Sequence, residues 1–117
     1  QTCALPILKE LYNRALLFVY PSYYEGFGIP ILEAYTCNCP VALSQASCFP
    51  EIAENAAAYF DPFSVSSMAE AIKSVIYDEA ERTRLILAGK ERIKLYSWEK
   101  ATRQTELVYR KVAKAVF

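Results

Sequence analysis

Hydrophobic residues in the first half of the chain form three short, uninterrupted runs: Leu16–Tyr20, Pro40–Leu43 and Ala57–Phe60. A run that is apolar on both faces is typical of a buried parallel strand. The segments between the runs, Pro30–Cys37 and Phe49–Ala53, favour helices, and proline suits the first position of a helix. The alternation of strand and helix predicts a βαβ arrangement around a parallel sheet.

Hydrophobic residues in the second half recur every three or four positions, which is the spacing of amphipathic helices. This spacing predicts three consecutive helices, near Val65–Tyr77, near Ala80–Tyr96, and from a Ser97 cap to about Ala115, which we expect to cover the sheet. An earlier helix is expected to end within Leu8–Asn13. Because three strands are fewer than an open sheet usually has, the predicted fold is α/β, a partial Rossmann-like doubly wound parallel sheet with C-terminal helices.

The segment that joins the first strand to the first crossover helix carries the candidate chemistry. Gly26 and Gly28 would let the backbone approach a ligand closely. The amides of Gly28, Ile29 and Ile31 fall where a helix begins, and amides at that position lack partners within the helix. Such a helix start binds anions readily. The loop therefore predicts an anion site at the carboxyl edge of the sheet, where open α/β sheets bind ligands.

Two carboxylates bracket this predicted site. Glu25 lies in the loop, and Glu33 lies about one turn inside the helix, where side chains lean back towards the helix start. A carboxylate cannot bind phosphate, but it can accept hydrogen bonds from hydroxyls. A ligand with hydroxyls on both sides of a diphosphate would satisfy the whole arrangement, and a nucleotide sugar is such a ligand.

The composition excludes several other kinds of chemistry. The 117 residues contain 13 cationic and 13 acidic side chains, and a net charge of zero argues against nucleic acid as the partner. The absence of histidine excludes Ser-His-Asp triads, Cys-His dyads and histidine-bound metals. The four cysteines match neither a zinc motif nor a disulfide framework. We expect a cytoplasmic protein, and peripheral association with the inner face of the membrane is left open.

The first seven residues have an unusual possible origin. They do not begin with methionine, and their permitted codons resemble the end of a common sequencing adapter. We therefore expect residues 1–7 to be a non-native leader. Residues 8–117 would then be a partial nucleotide-sugar-binding domain of a larger parent protein.

Several sequence motifs resemble one enzyme family in their order and spacing. Glu25 and Glu33 form an E-x7-E pair inside Tyr20–Ser44, and PEIAENAAAYFDP (Pro50–Pro62) and YSWEKAT (Tyr96–Thr102) follow. Together these segments resemble the donor-binding domain of the retaining GT-B glycosyltransferases, a group that includes sucrose synthase-like and bacterial polysaccharide enzymes. The resemblance covers nearly all of Leu8–Lys111.

The resemblance implies roles for individual residues. Glu25 would be the catalytic residue and would contact the donor sugar's hydroxyls, while Glu33 would hold the ribose hydroxyls. Between them, backbone groups would contact the sugar and the diphosphate. The implied donor-binding residues are Glu25, Gly26, Phe27, Gly28, Ile29 and Glu33. The implied reaction transfers a sugar from a UDP- or GDP-linked donor to an acceptor hydroxyl with retention. It needs no metal and no cofactor beyond the donor.

The resemblance also shows what this chain lacks. In the family, an upstream Arg/Lys pair stabilises the leaving diphosphate and a separate domain binds a sugar or lipid-linked acceptor. We therefore expect the chain alone to be inactive, with a cut sheet edge that permits self-association. A non-catalytic binding, pseudoenzyme or interaction fragment and a GT-B nucleotide-sugar epimerase are the alternatives. We interpret Trp98 as a core anchor, and the basic residues from Arg82 to Lys114 as solvated.

Overall fold

The computed structural model describes residues 4–116, which contain six α-helices, three strands and one 3-10 turn. Of the expected leader, residues 1–3 lie outside this range, and residues 4–7 form the start of the first helix. The elements in chain order are α1 (Ala4–Arg14), β1 (Phe18–Tyr20), α2 (Ile29–Thr36), β2 (Val41–Ser44), α3 (Phe49–Ala53), a 3-10 turn (Glu54–Ala56), β3 (Ala57–Phe60), α4 (Val65–Ile76), α5 (Glu79–Ile93) and α6 (Trp98–Val116).

The three strands form one parallel sheet in the order β1, β2, β3. Val41 of β2 pairs with Phe18 of β1 on one side and with Ala57 of β3 on the other. Every residue of β2 is buried, as expected for the middle strand of a sheet that is covered by helices. The α/β fold predicted from the sequence is confirmed, and α3 and β3 have the predicted bounds.

Helix α2 connects β1 to β2 and has a left-handed residue at each end. Gly28 precedes it with φ 97°, and Pro30 occupies its second position. Asn38 follows it with φ 57°, and its amide donates to the Tyr35 carbonyl over 3.1 Å. Asparagine tolerates this conformation better than most residues. The turn between α2 and β2 is therefore closed by an asparagine in the left-handed conformation.

The hydrophobic core lies where α2, α3 and the sheet meet. Ile31 of α2, Leu43 of β2 and Phe49 of α3 are fully buried there. Helix α5 closes the core, with Gly89 packed against the Tyr35 ring of α2. Helix α4 packs on β3 and on α5. The loop between β1 and α2 therefore rests on a well-packed base.

Helix α6 does not cover the sheet, and this part of the prediction is wrong. Every side chain from Trp98 to Ala115 is exposed, and Trp98 itself is 80% exposed, so it is not a core anchor. The molecule measures 59 Å in its longest dimension against 31 and 26 Å in the others. Periodicity reports that a helix has an apolar face but does not report what covers it. No helix among residues 4–116 is long and apolar enough to cross a membrane.

Arg92 is also not a solvated residue, contrary to the prediction. Its side chain is 12% exposed and forms an ion pair of 3.0 Å with Glu54. Its guanidinium donates to the carbonyls of Glu51 and Ile52, each over 2.9 Å. Carbonyls at the end of a helix lack partners within it, and the planar guanidinium reaches several acceptors at once. Arg92 of α5 therefore caps α3 and holds the two helices together.

Two other arginines bind backbone carbonyls in the same way. Arg82 donates to the carbonyls of Val75 and Ile76 at the end of α4, over 3.1 and 2.6 Å. Arg84 donates to the Asn55 carbonyl over 3.0 Å. Helix α5 is thus attached to its neighbours by arginine side chains as well as by apolar packing.

We expect Gly89→Ala to destabilise the protein although alanine is the better helix former by about 1 kcal/mol. An added Cβ would lie 2.5 Å from Cδ1 of Tyr35. That ring is buried, and its hydroxyl donates to the Ala56 carbonyl over 3.0 Å, so it has little freedom to move. The expected loss is about 2 kcal/mol in the free energy of unfolding, measured by urea denaturation. Lys90→Ala is the control, and a more stable Gly89→Ala would contradict the packing.

We expect Arg92→Lys to cost about 1–3 kcal/mol of unfolding free energy, because one ammonium group cannot replace two carbonyl contacts and an ion pair. The measurement is thermal or urea unfolding. Lys94→Ala is the control, since Lys94 forms only an exposed pair with Glu91 and such pairs contribute little. Equal stability of the Arg92→Lys variant and the wild type would show that Arg92 does not cap α3.

Candidate functional site

The loops that follow β1 and β2 meet at the carboxyl edge of the sheet. The first loop carries Glu25 and leads into α2, and the second contains Ser47 and Cys48 and leads into α3. Ser47 and Cys48 contact the backbone of the first loop, 22 and 23 positions earlier in the chain. The predicted site is therefore built from two loops.

The Glu25 carboxylate is held by two hydroxyls. Its Oε1 accepts hydrogen bonds from the Tyr20 hydroxyl over 2.7 Å and from the Ser22 hydroxyl over 2.9 Å. Burial, together with this hydrogen bond, raises the pKa of Tyr20 to about 12, so the phenol stays a donor even above the ordinary tyrosine pKa of about 10. Among residues 4–116, Oε2 of Glu25 has no hydrogen-bond partner. One carboxylate oxygen is fixed, and the other is available to a ligand.

The start of α2 presents fewer unpaired amides than the sequence predicts. The Ile31 amide donates to the Gly28 carbonyl over 3.0 Å, so it is not available to an anion. The amides of Gly28 and Ile29 have no protein acceptor within the described part of the chain. A side chain at Gly28 would place its Cβ 2.9 Å from the Phe49 ring, and the φ of 97° disfavours one as well. The close backbone turn here requires glycine.

Glu33 lies on the side of α2 that meets α1. Its Oε2 accepts a hydrogen bond of 3.3 Å from the Tyr12 hydroxyl. Burial, followed by the nearby Glu33 charge, raises the pKa of Tyr12 to about 12. The carboxylate borders a shallow groove of about 310 Å³ between the two helices. The groove is lined by Leu8, Lys9, Tyr12, Glu33, Thr36 and Cys37.

A row of aromatic rings separates the two carboxylates. The Tyr12 ring meets Phe18 edge-on at 5.3 Å between centroids, and Phe18 lies 5.6 Å from Tyr20. Each tyrosine at the ends of this row donates to one glutamate. No residue of the described chain hydrogen-bonds both Glu25 and Glu33. The structure thus connects the two predicted residues through β1 and does not place them in direct contact.

The groups that orient the glutamates could not be predicted from the sequence pattern. Tyr20 and Ser22 stand five and three positions before Glu25, so local spacing offers a weak signal for them. Tyr12 is 21 positions from Glu33, and only the packing of α1 on α2 brings them together. Among residues 4–116, no group of three cysteine or acidic side chains is placed to hold a metal ion.

The comparison with protein families agrees with the geometry. The sequence model of the family described as glycosyl transferases group 1 matches residues 5–92. This chain belongs to that family. The predicted resemblance is therefore confirmed at the level of the glycosyl transferases group 1.

Known glycosyltransferases are similar to this group 1 chain in sequence and in structure. It is 40% identical over 103 residues to the O-antigen chain mannosyltransferase B of Escherichia coli, covering 88% of this chain and 27% of that protein. It is 32% identical over 115 residues to the alpha-maltose-1-phosphate synthase of Mycolicibacterium smegmatis, covering 91% and 30%. Its structure resembles the sucrose-phosphate synthase of Thermosynechococcus elongatus with a TM-score of 0.79 and 32% identity, covering 89% and 27%. The chain spans less than a third of the length of each.

We expect the stability of this group 1 chain to fall between about pH 10, the ordinary tyrosine pKa, and about pH 12, the raised pKa of Tyr12 and Tyr20. In this interval the unfolded chain loses phenol protons that the folded chain keeps, so stability is complete below pH 10 and declines above it. The measurement is urea unfolding across this range. The double variant Tyr12→Phe/Tyr20→Phe should show a shallower decline, and an identical decline would contradict this assignment.

Proposed function

We propose that this chain forms part of the donor-binding region of a glycosyltransferase that moves a sugar from a nucleotide-sugar donor to an acceptor hydroxyl with retention. The observation that carries the proposal is the Glu25 carboxylate, which is fixed through one oxygen and unpaired at the other beside a helix start. Membership of the glycosyl transferases group 1 supports glycosyl transfer as the reaction.

In this proposal each part of the donor meets a matching group. The Oε2 atom of Glu25 accepts hydrogen bonds from hydroxyls of the transferred sugar. The amides of Gly28 and Ile29 face the diphosphate, because unpaired amides at a helix start attract anions. Gly26 and Phe27 bring the backbone between the sugar and the diphosphate. The donor is the only non-protein molecule in the proposed site, which uses no metal and no cofactor.

Glu33 accepts hydrogen bonds from the ribose hydroxyls of the donor. Tyr12 holds one of its oxygens, and the other has no hydrogen-bond partner within residues 4–116. We propose that the donor sugar is linked to UDP or GDP, and that Glu33 contacts the ribose that both nucleotides share. Removing the Glu33 carboxylate should therefore weaken the binding of free nucleotides as well as that of their sugar conjugates.

Transfer itself requires groups beyond this chain. A leaving diphosphate gathers negative charge, so catalysis needs cationic stabilisation. Residues 1–60 contain two cationic side chains against five glutamates. The chain alone is therefore proposed to be inactive, with the leaving-group cations and the site for a sugar or lipid-linked acceptor supplied by a longer protein in the cytoplasm. The outer edge of β1 pairs with no strand among residues 4–116, so it can accept a further strand or a second copy.

The test is a calorimetric titration of the chain with UDP, GDP and their sugar conjugates. Losing a charge-assisted hydrogen bond costs roughly 1.5–3 kcal/mol, so we expect Glu33→Gln to lower the affinity for nucleotides and for their sugar conjugates about tenfold or more. Glu25→Gln should lower the affinity for the sugar conjugates and leave the affinity for the free nucleotides unchanged.

The matched control is Glu70→Gln, since Glu70 lies exposed on α4 away from the site. A folded wild-type chain that binds none of these ligands would overturn the proposal for this chain. Equal weakening by Glu70→Gln and Glu33→Gln would show that the effect is not specific to the site.

A further inference from the structure

The hydroxyl of Ser47 holds both backbone polar atoms of Glu25. Its Oγ accepts the Glu25 amide proton over 3.3 Å and donates to the Glu25 carbonyl over 2.9 Å. A single side chain that satisfies the N–H and the C=O of one residue fixes the orientation of that peptide segment. Tyr20 and Ser22 hold the Glu25 carboxylate, so the whole residue is held from two directions.

The thiol of Cys48 extends the same attachment along the loop. Its Sγ lies 3.3 Å from the Glu25 carbonyl oxygen and 3.1 Å from the Phe27 carbonyl oxygen. The single S–H can donate to either oxygen. The intervening Gly26 has no non-neighbouring atom within 4 Å of the position that a Cβ would occupy. The Phe27 ring packs edge-on against the Tyr96 ring at 5.6 Å between centroids. The contacts to Ser47 and Cys48 therefore chiefly restrain the backbone on either side of the unpacked Gly26.

The backbone at Ser47 is strained in a way that serves these contacts. Ser47 has φ 54°, in the left-handed region that is unfavourable for residues with a Cβ. The residue is exposed, so burial of its side chain does not maintain this conformation. Two positions later, Phe49 is fully buried, and its ring packs 5.1 Å from the Tyr20 ring. Strain of this kind persists where surrounding contacts determine the conformation.

We propose that Ser47 and Cys48 are positioning residues that fix the Glu25 loop for the donor sugar. This inference rests on the proposed function of Glu25. Without these two side chains, the loop would sample other conformations, and ordering it on binding would reduce the affinity for the donor. Neither residue touches the donor in this proposal, and both act through the backbone of the first loop.

The first experiment measures hydrogen exchange at the Glu25 amide by NMR in the absence of ligand. Ser47→Ala removes its acceptor, and we expect exchange to accelerate about fivefold, as loss of one ordinary hydrogen bond allows. Ser47→Gly also removes the hydroxyl but relieves the left-handed strain, so it should accelerate the same amide while keeping or raising global stability. Ser74→Ala is the matched control, because the Ser74 hydroxyl bonds only within α4.

The second experiment measures the affinity of the Ser47 variants, and of two Cys48 variants, for the nucleotide-sugar conjugate that binds the wild type most tightly. We expect Ser47→Ala, Ser47→Gly and Cys48→Ala each to weaken binding about fivefold. Cys48→Ser keeps a hydrogen-bond donor and should recover part of the loss. If Ser47 served only the stability of the fold, affinity would follow stability. The more stable Ser47→Gly would then bind the donor better than Ser47→Ala.

The outcomes separate this inference from the proposed function. Unchanged Glu25 exchange in both Ser47 variants would show that Ser47 does not restrain the loop, and unchanged affinity of Cys48→Ala would show that Cys48 does not position it for the donor. Faster exchange with unchanged affinity would show that the restraint does not serve the donor. If the wild type binds no nucleotide sugar, the proposed function fails and the role in donor positioning fails with it, while the exchange data still decide whether the loop is restrained.

Discussion

The buried ring of Phe49 is the contact on which the candidate site depends. It fills the space beneath Gly28, where a Cβ would approach it to 2.9 Å, and it packs against the Tyr20 ring. Gly28 is the N-cap of α2, and Tyr20 holds the Glu25 carboxylate. Because protein interiors are close-packed, one ring sets the relative position of the helix start and the carboxylate. The second loop enters the same core through this ring.

The glutamates of the site are held by neutral hydroxyls and not by cations. Tyr12 and Tyr20 are protonated at neutral pH as tyrosines ordinarily are, and burial and the adjacent carboxylates raise the pKa of each further. A hydroxyl orients a carboxylate without neutralising it, so Glu25 and Glu33 each keep one oxygen that can accept hydrogen bonds from a polyhydroxylated ligand. Among residues 4–116, no cationic side chain forms an ion pair or hydrogen bond with either carboxylate. In the proposed function, this arrangement would recognise a donor, and cations from elsewhere would stabilise the leaving diphosphate.

Helix α5 stabilises the base of the site by a mixed mechanism. Gly89 allows close approach to Tyr35, while Arg92 caps the carbonyls at the end of α3. A short helix such as α3 has little stability of its own, so these bonds matter for the loop that precedes it. Arginine in an amphipathic helix is usually assigned to solvent. The role of Arg92 follows from its position beside the carbonyls at the end of α3, about 40 positions earlier in the chain.

Local pattern in the sequence determined the strands, most helix bounds and the placement of Glu25 in a loop and of Glu33 in the helix that follows, because side-chain period and turn residues act over a few positions. The tertiary structure alone decided the pairing of Tyr12 with Glu33, the attachment of Ser47 and Cys48 to the Glu25 loop, and the exposure of α6. These contacts join residues about 20 positions apart or depend on whether another surface is present. Such relations arise from packing in three dimensions, which no short-range pattern encodes.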